Sequence, residues 1–201
     1  MSKLKTVDLT FGAVFVCLMA IGANITVWFP VLAVPIGGAT VPVSLQTFFA
    51  ILAGLMLGRK LGSLSMIVYT LVGVAGVPVF ANLQAGPMAL ATPTGGFIIS
   101  FICVAFIVGW IADFAKKPSI AMYTFAALIG LIVNYGIGVS FLYLSMNTWL
   151  ELSITYSLAW KGMIPFLIKD GALACLAAVF MISFAKRVPY AFRTARTSTN
   201  G

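Results

Sequence analysis

Residues 9–29 read LTFGAVFVCLMAIGANITVWF, and after Asp8 no charged residue occurs until Arg59. About 20 consecutive apolar residues already cross the hydrocarbon core of a bilayer as a helix. Only helices and closed barrels satisfy their backbone groups there, and this stretch lacks the two-residue alternation of barrel strands. The pattern recurs along the chain. No charge lies between Lys60 and Asp113, and none between Pro118 and Leu150. The fold class is therefore an all-α membrane protein, and a chain of 201 residues, 62% of them hydrophobic, holds six transmembrane helices in one bundle.

Turn chemistry divides the chain into spans at approximately 9–29, 43–57, 63–77, 96–115, 119–144 and 161–185, a single transmembrane domain over 1–201. Pro30, Pro35, Gly37, Gly38 and Pro42 break the first connection, and Gly58, Arg59, Lys60 and Gly62 mark a tight turn. A Gly/Pro-rich connection runs from Pro78 to Gly95, Lys116 to Pro118 end the fourth span, and Asn147 and Glu151 lie between the fifth and sixth. The first run is too long for the apolar region of a signal peptide and is read as a retained span.

Charge orients this array. One side of a six-span chain collects Lys3, Lys5, Arg59, Lys60, Lys116, Lys117, Lys186, Arg187, Arg193 and Arg196, and the other only Lys161, with Lys169 inside a span. Basic residues concentrate in cytoplasmic loops, so both termini are expected in the cytoplasm and the chain in the cell membrane, in contact with lipid. The net charge of +8 has the same origin, and no basic face for nucleic acid forms. There is no histidine, which removes His-based catalysis and the commonest metal ligand. Cys17, Cys103 and Cys175 lie far apart in apolar segments and read as small hydrophobes. With no phosphate-binding loop and no activated nucleophile, the chain reads as a non-enzyme without metal or cofactor. Any ATP-driven motor must be another polypeptide.

Lys169 and Asp170 are the charges well inside a predicted span. Asp170 lies about 13 Å below Lys161 at 1.5 Å per residue. An acid at such depth usually faces a cavity or a partner. Adjacent helical residues point about 100° apart, so Lys169 and Asp170 are not expected to pair with each other. Asp170 can accept two hydrogen bonds from neighbouring N–H groups, and Asn82, Gln84 and Gln46 can supply amides. Trp28, Phe29, Phe80 and Phe97 offer apolar walls at the same face. This describes a site for a small solute with an N–H-bearing head; proton relay by Asp170 is the competing use. Ala13, Cys17, Ala20 and Asn24 form a small-residue stripe suited to close helix contact, and Gly54 with Gly58 makes a GxxxG pair.

Four blocks, in order, resemble the BioY family, the biotin-specific S components of energy-coupling factor (ECF) transporters. They are VPVSLQTFFAILAGLMLGRKLG (41–62), GVAGVPVFA (73–81), TPTGGF (92–97) and IPFLIKDGALACLAA (164–178). The resemblance implies a six-helix S-component fold that binds biotin near the extracellular face and does no chemistry on it. It implies docking of the first helix, through Ala13, Cys17 and Ala20, to a transmembrane coupling subunit that carries two cytoplasmic ATPases. It places the family's acid on Asp170, polar contacts on Asn82, Gln84 and Gln46, and adds Phe80 and Thr94 from the adjoining blocks. The family's lysine three residues after the acid is replaced by Leu173, and Lys169, one turn nearer the outside, stands in for it. An S component for another vitamin and a proton-coupled solo carrier are the alternatives.

Overall fold

The computed structural model describes residues 6–32, 34–36, 39–41, 44–114 and 119–187. Lys3, Lys5, Lys116, Lys117, Arg193 and Arg196 lie outside the described residues, as do Gly37, Gly38 and Pro42 of the first connection. Helix α1 (Thr6–Trp28) leads into a short antiparallel hairpin, β1 (Val34–Ile36) with β2 (Ala39–Val41), in register Val34 to Val41. Then follow α2 (Gln46–Val74), the single turn α3 (Met88–Ala91), α4 (Gly95–Phe114), α5 (Ile120–Thr148) and α6 (Tyr156–Arg187). Five of these helices are long and apolar enough to cross a membrane, α6 over Tyr156–Ala185.

The α2 segment is two helices, not one. Gly58 sits at φ 76°, ψ 178°, outside helical geometry, in the left-handed region that an L side chain resists. Gln46 Nε2 donates to Tyr69 Oη at 2.9 Å, whereas a straight helix would separate these residues by about 34 Å. The chain therefore reverses at Gly58, and α2 contributes two antiparallel arms, 46–57 and 59–74. With the two arms counted separately, the described residues form six long helical segments, the number of helices expected from the sequence.

Some boundaries differ from expectation. The break is Gly58 alone, and Arg59 to Gly62 are already helical. Asp113 at the end of α4 holds the start of the second arm: its Oδ2 accepts from the Arg59 backbone N–H at 3.5 Å and lies 3.8 Å from Arg59 Nε. A single left-handed residue thus does the work assigned to a longer turn. Helix α6 begins at Tyr156 rather than near 161, and α5 extends to Thr148 rather than 144. Ser119 caps α5 by accepting from Met122 N at 3.2 Å. The first connection, read only as a set of helix breakers, forms the β1–β2 hairpin.

Packing follows membrane rules. The buried faces of α5 and α6 include small residues, Ala126 and Ala127 on α5 and Ala174, Ala177 and Ala178 on α6, beside larger ones such as Tyr123, Tyr135 and Met181. Large residues such as Phe125, Ile132, Leu176, Val179 and Phe180 point outward. Lipid tails are as apolar as leucine, so helix association depends on close approach rather than on hiding hydrophobes. The first arm of α2 meets α4 through Gly54 and Gly109. A Cβ on Gly54 would lie 2.6 Å from the Ala105 carbonyl oxygen, and one on Gly109 would lie 2.4 Å from Arg59 N.

The two ends of the bundle differ. One carries the Gly58 reversal and Asp113. The other, here the loop end, joins Asn24 to Leu83, Leu45 to Gly22, and Trp149 Nε1 to the Ala91 carbonyl at 2.8 Å.

Candidate binding site

Asp170 is buried, with 4% of its surface exposed, about 21 Å along α6 from Tyr156. Three elements converge on its carboxylate. Tyr135 of α5 donates to Oδ2 at 2.9 Å, and Thr47, the second residue of α2, donates to the same oxygen at 3.1 Å. The Lys169 ammonium lies 2.7 Å from Oδ1. Because Thr47 opens the first arm, the site lies just beneath the loop end.

The contact between Lys169 and Asp170 corrects the expectation that these neighbours do not pair. The 100° offset applies to the bonds leaving the backbone. The four-carbon lysine stem bridges it, and the ammonium also donates to the Ser44 carbonyl at 2.7 Å. A carboxylate at this depth costs several kcal/mol unless it is partnered. Its paired, hydrogen-bonded state is the physical condition for an acid to persist in this span.

A second layer extends the site. Asn134 Nδ2 donates to Thr47 Oγ1 at 3.3 Å, and Asn134 Oδ1 accepts from Ser100 Oγ of α4 at 2.7 Å. Asn134, Ser100 and Thr47 are all buried. Phe97 packs edge-on against Tyr135, ring centroids 5.7 Å apart. The carboxylate is thus held in a polar cluster walled by aliphatic and aromatic groups. Such an arrangement can recognise a neutral head with N–H donors and a carbonyl.

Sequence reasoning missed Thr47, Ser100, Asn134 and Tyr135. A signal existed: an asparagine in the middle of an uncharged apolar run is costly in lipid and requires a partner, and Asn134 sits in such a run.

The remaining expected residues divide into groups. Gln46 is buried and donates to Tyr69 rather than to Asp170. Phe80 is 1% exposed, edge-on to Tyr69 at 5.6 Å. Its ring presses on Gly73, where a Cβ would come within 2.2 Å of it. Asn82, Gln84 and Thr94 are exposed. Thr94 Oγ1 contacts Thr92 Oγ1 at 3.0 Å. Among the described residues, the structure brings none of Asn82, Gln84, Phe80 and Thr94 into contact with Asp170. On α1, Ala13 and Cys17 are exposed and Ala20 is half-buried, while Asn24 is buried.

A multi-pass helical bundle with a buried polar cluster beneath one end defines a helical membrane protein, and comparison with known proteins narrows the class. The BioY family model matches residues 1–190. The chain is 44% identical to BioYB of Bacillus subtilis over 174 residues, covering 87% of this chain and 85% of that protein. It is 39% identical to the biotin transporter BioY of Thermotoga maritima over 128 residues, 64% of this chain and 69% of that one. The crystal structure of the S-component for biotin from an ECF-type ABC transporter superposes with a TM-score of 0.64 at 22% identity, covering 89% of this chain and 90% of that chain. That likeness speaks for the fold. The chain belongs to the BioY family.

Proposed function

We propose that this protein is the biotin-binding S component of an ECF-type vitamin importer. It would lie in the cell membrane with both termini cytoplasmic, and would deliver biotin inward with a transmembrane coupling subunit and two cytoplasmic ATPases. Membership of a family whose named relatives transport biotin supports the substrate. The single structural observation that carries the reading is the buried Asp170 carboxylate, held by Tyr135, Thr47 and Lys169 beneath the loop end.

The chemistry matches the solute. Biotin's ureido ring offers two N–H donors and one carbonyl, and its valeryl chain ends in a carboxylate. In this reading Asp170 accepts from the ring N–H groups, Asn134 or Thr47 meets the carbonyl, and Lys169 turns to the carboxylate. Asn82, Gln84 and Thr94 contribute only if the loops fold inward over the ligand. The exposed Ala13 and Cys17, with Ala20, are the coupling-subunit docking face. Purified protein should be stabilised against heat by biotin, by about 2.7 kcal/mol at a hundredfold excess over the dissociation constant. Stabilisation by a different vitamin, with none by biotin, would replace the substrate.

A further inference from the structure

We propose that Lys169, Ser44, Gln46 and Tyr69 form a hydrogen-bonded relay that ties the Asp170 site to the 79–84 loop, and that Asn24 pins that loop to α1. The links are hydrogen bonds joined through the covalent frame of Ser44, which accepts by its carbonyl and donates by its hydroxyl. Lys169 Nζ, paired with Asp170, donates to the Ser44 carbonyl at 2.7 Å. Ser44 Oγ donates to Gln46 Oε1 at 3.0 Å. Gln46 Nε2 donates to Tyr69 Oη at 2.9 Å, and Tyr69 Oη donates to the Val79 carbonyl at 3.0 Å. Asn24 closes the far end: its Nδ2 lies 3.4 Å from the same carbonyl, and its Oδ1 accepts from Leu83 N at 2.8 Å.

The loop so held is not at rest. Asn82 and Leu83 both occupy the left-handed region, at φ 58° and 57°. Asparagine tolerates it, but a leucine there is strained and persists only where the surroundings dictate it. The Asn24 bond to Leu83 N and the clamp on Val79 O hold it from outside, while Phe80 N donating to the Gln84 carbonyl at 3.1 Å and Gln84 N to the Ala81 carbonyl at 3.3 Å close the loop on itself. Gln46, Tyr69 and Asn24 are accordingly positioning residues, acting on the site through the loop and through Ser44. Asn24 is 1% exposed and Tyr69 0%, so their polar atoms are buried on these partners, with Asn24 Nδ2 also donating to the Ala20 carbonyl of its own helix at 3.0 Å. When Lys169 leaves Ser44 for another anion, the first link breaks and the loop is released from its set conformation. The loop then reports the state of the site to α1.

The relay itself is tested in ligand-free protein, and its link to ligand rests on the proposed biotin site. Backbone hydrogen exchange over residues 79–86 is compared in wild type, Tyr69→Phe, Lys169→Met and the double variant. Tyr69→Phe removes one oxygen and keeps the ring, so folding is preserved. Each single change should speed exchange in this loop roughly tenfold while leaving the middle of α5 unaltered. If the two act through one relay, the double variant stays near tenfold; if they act separately, the effects multiply to about a hundredfold. Multiplied effects, or a Lys169→Met loop that exchanges like wild type, would overturn the relay. General loosening of α5 in Tyr69→Phe would reduce Tyr69 to a packing residue. Biotin is then added. It should change loop exchange in wild type but not in Tyr69→Phe. Biotin bound without any loop response removes the coupling, whereas no biotin binding with the ligand-free pattern intact removes the substrate and leaves the relay.

Discussion

Asp170 receives two hydroxyl donors on one oxygen and an ammonium on the other, so a ligand that bonds this carboxylate does so by exchange for one of these contacts. The exchange is favourable only if the ligand returns what it takes. A solute with adjacent N–H donors replaces the contact to Oδ1, and a solute carrying its own carboxylate re-pairs the displaced Lys169. Asp170→Asn keeps the shape and removes the charge. Hydrogen bonds to a charged partner contribute about 1.5–3 kcal/mol, so affinity for biotin should fall roughly ten- to hundredfold in equilibrium binding. Unchanged affinity in a folded Asp170→Asn protein would leave this carboxylate a structural one. Lys169→Met should weaken biotin but matter far less for a biotin amide; equal losses for both ligands would show that Lys169 does not meet the carboxylate. The acid itself was legible from sequence because a charge in an apolar run stands out. Its hydroxyl partners Thr47 and Tyr135 were not, since they look like ordinary span residues until α2 and α5 bring them to α6. The pairing with Lys169 was misjudged because side-chain length, invisible in a helical wheel, overrode the angle between neighbours.

At the scale of elements, the hairpin of α2 depends on the left-handed Gly58 and on the close passage of Gly54 and Gly109, besides the Asp113 and Gln46–Tyr69 contacts. Gly109→Val would drive a branched side chain into the Gly58–Arg59 backbone, where even a Cβ comes within 2.4 Å. Overpacking of this kind costs about 1–3 kcal/mol, and here the obstacle is backbone that cannot rotate away. The melting temperature in detergent should fall clearly for Gly109→Val and little for Gly136→Ala, where a Cβ meets nothing within 4 Å. An equal drop in both would show that the crossing does not set the cost, since helix propensity favours alanine over glycine and by itself would raise the stability of Gly136→Ala. The α1 face calls for the opposite outcome. Ala13→Trp leaves the bundle core alone, because Ala13 is exposed, so biotin binding should survive while co-purification with the coupling subunit is lost; retained co-purification with lost binding would make the stripe internal. Helix existence was legible from apolar run length and charge. The ends were less so: α6 starts earlier than its first lysine because Tyr156 and Trp160 suit a membrane interface as well as a loop. The β1–β2 hairpin was obscured by prolines and glycines, which announce a break without saying what fills it.

For the whole molecule, the deciding question is which end faces which side. Arg59 and Lys60 sit at the Gly58 reversal, and Arg187 ends α6 at the same end of an up-and-down bundle. The loop end, by contrast, carries Gln84 and the Trp149 contact to Ala91 and has little charge beyond Glu151 and Lys161. Short basic turns stay in the cytoplasm, so the loop end, and with it the Asp170 site beneath it, should open to the outside. That orientation is a requirement of the proposed uptake role: a binding site must meet its solute before the energy-supplying step. It can be read directly. In a variant whose Cys17, Cys103 and Cys175 are replaced by alanine, Gln84→Cys should react with a membrane-impermeant maleimide on intact cells. Lys60→Cys, exposed at the reversal, should react only after the membrane is opened. The inverse pattern would turn the molecule over and place the site on the cytoplasmic side, where an importer has no use for it. Labelling of both positions from one side would mean that the second arm, 59–74, does not cross between them. The Gln46–Tyr69 hydrogen bond, 2.9 Å across residues that a straight helix would part by about 34 Å, requires that arm to run back to the loop end.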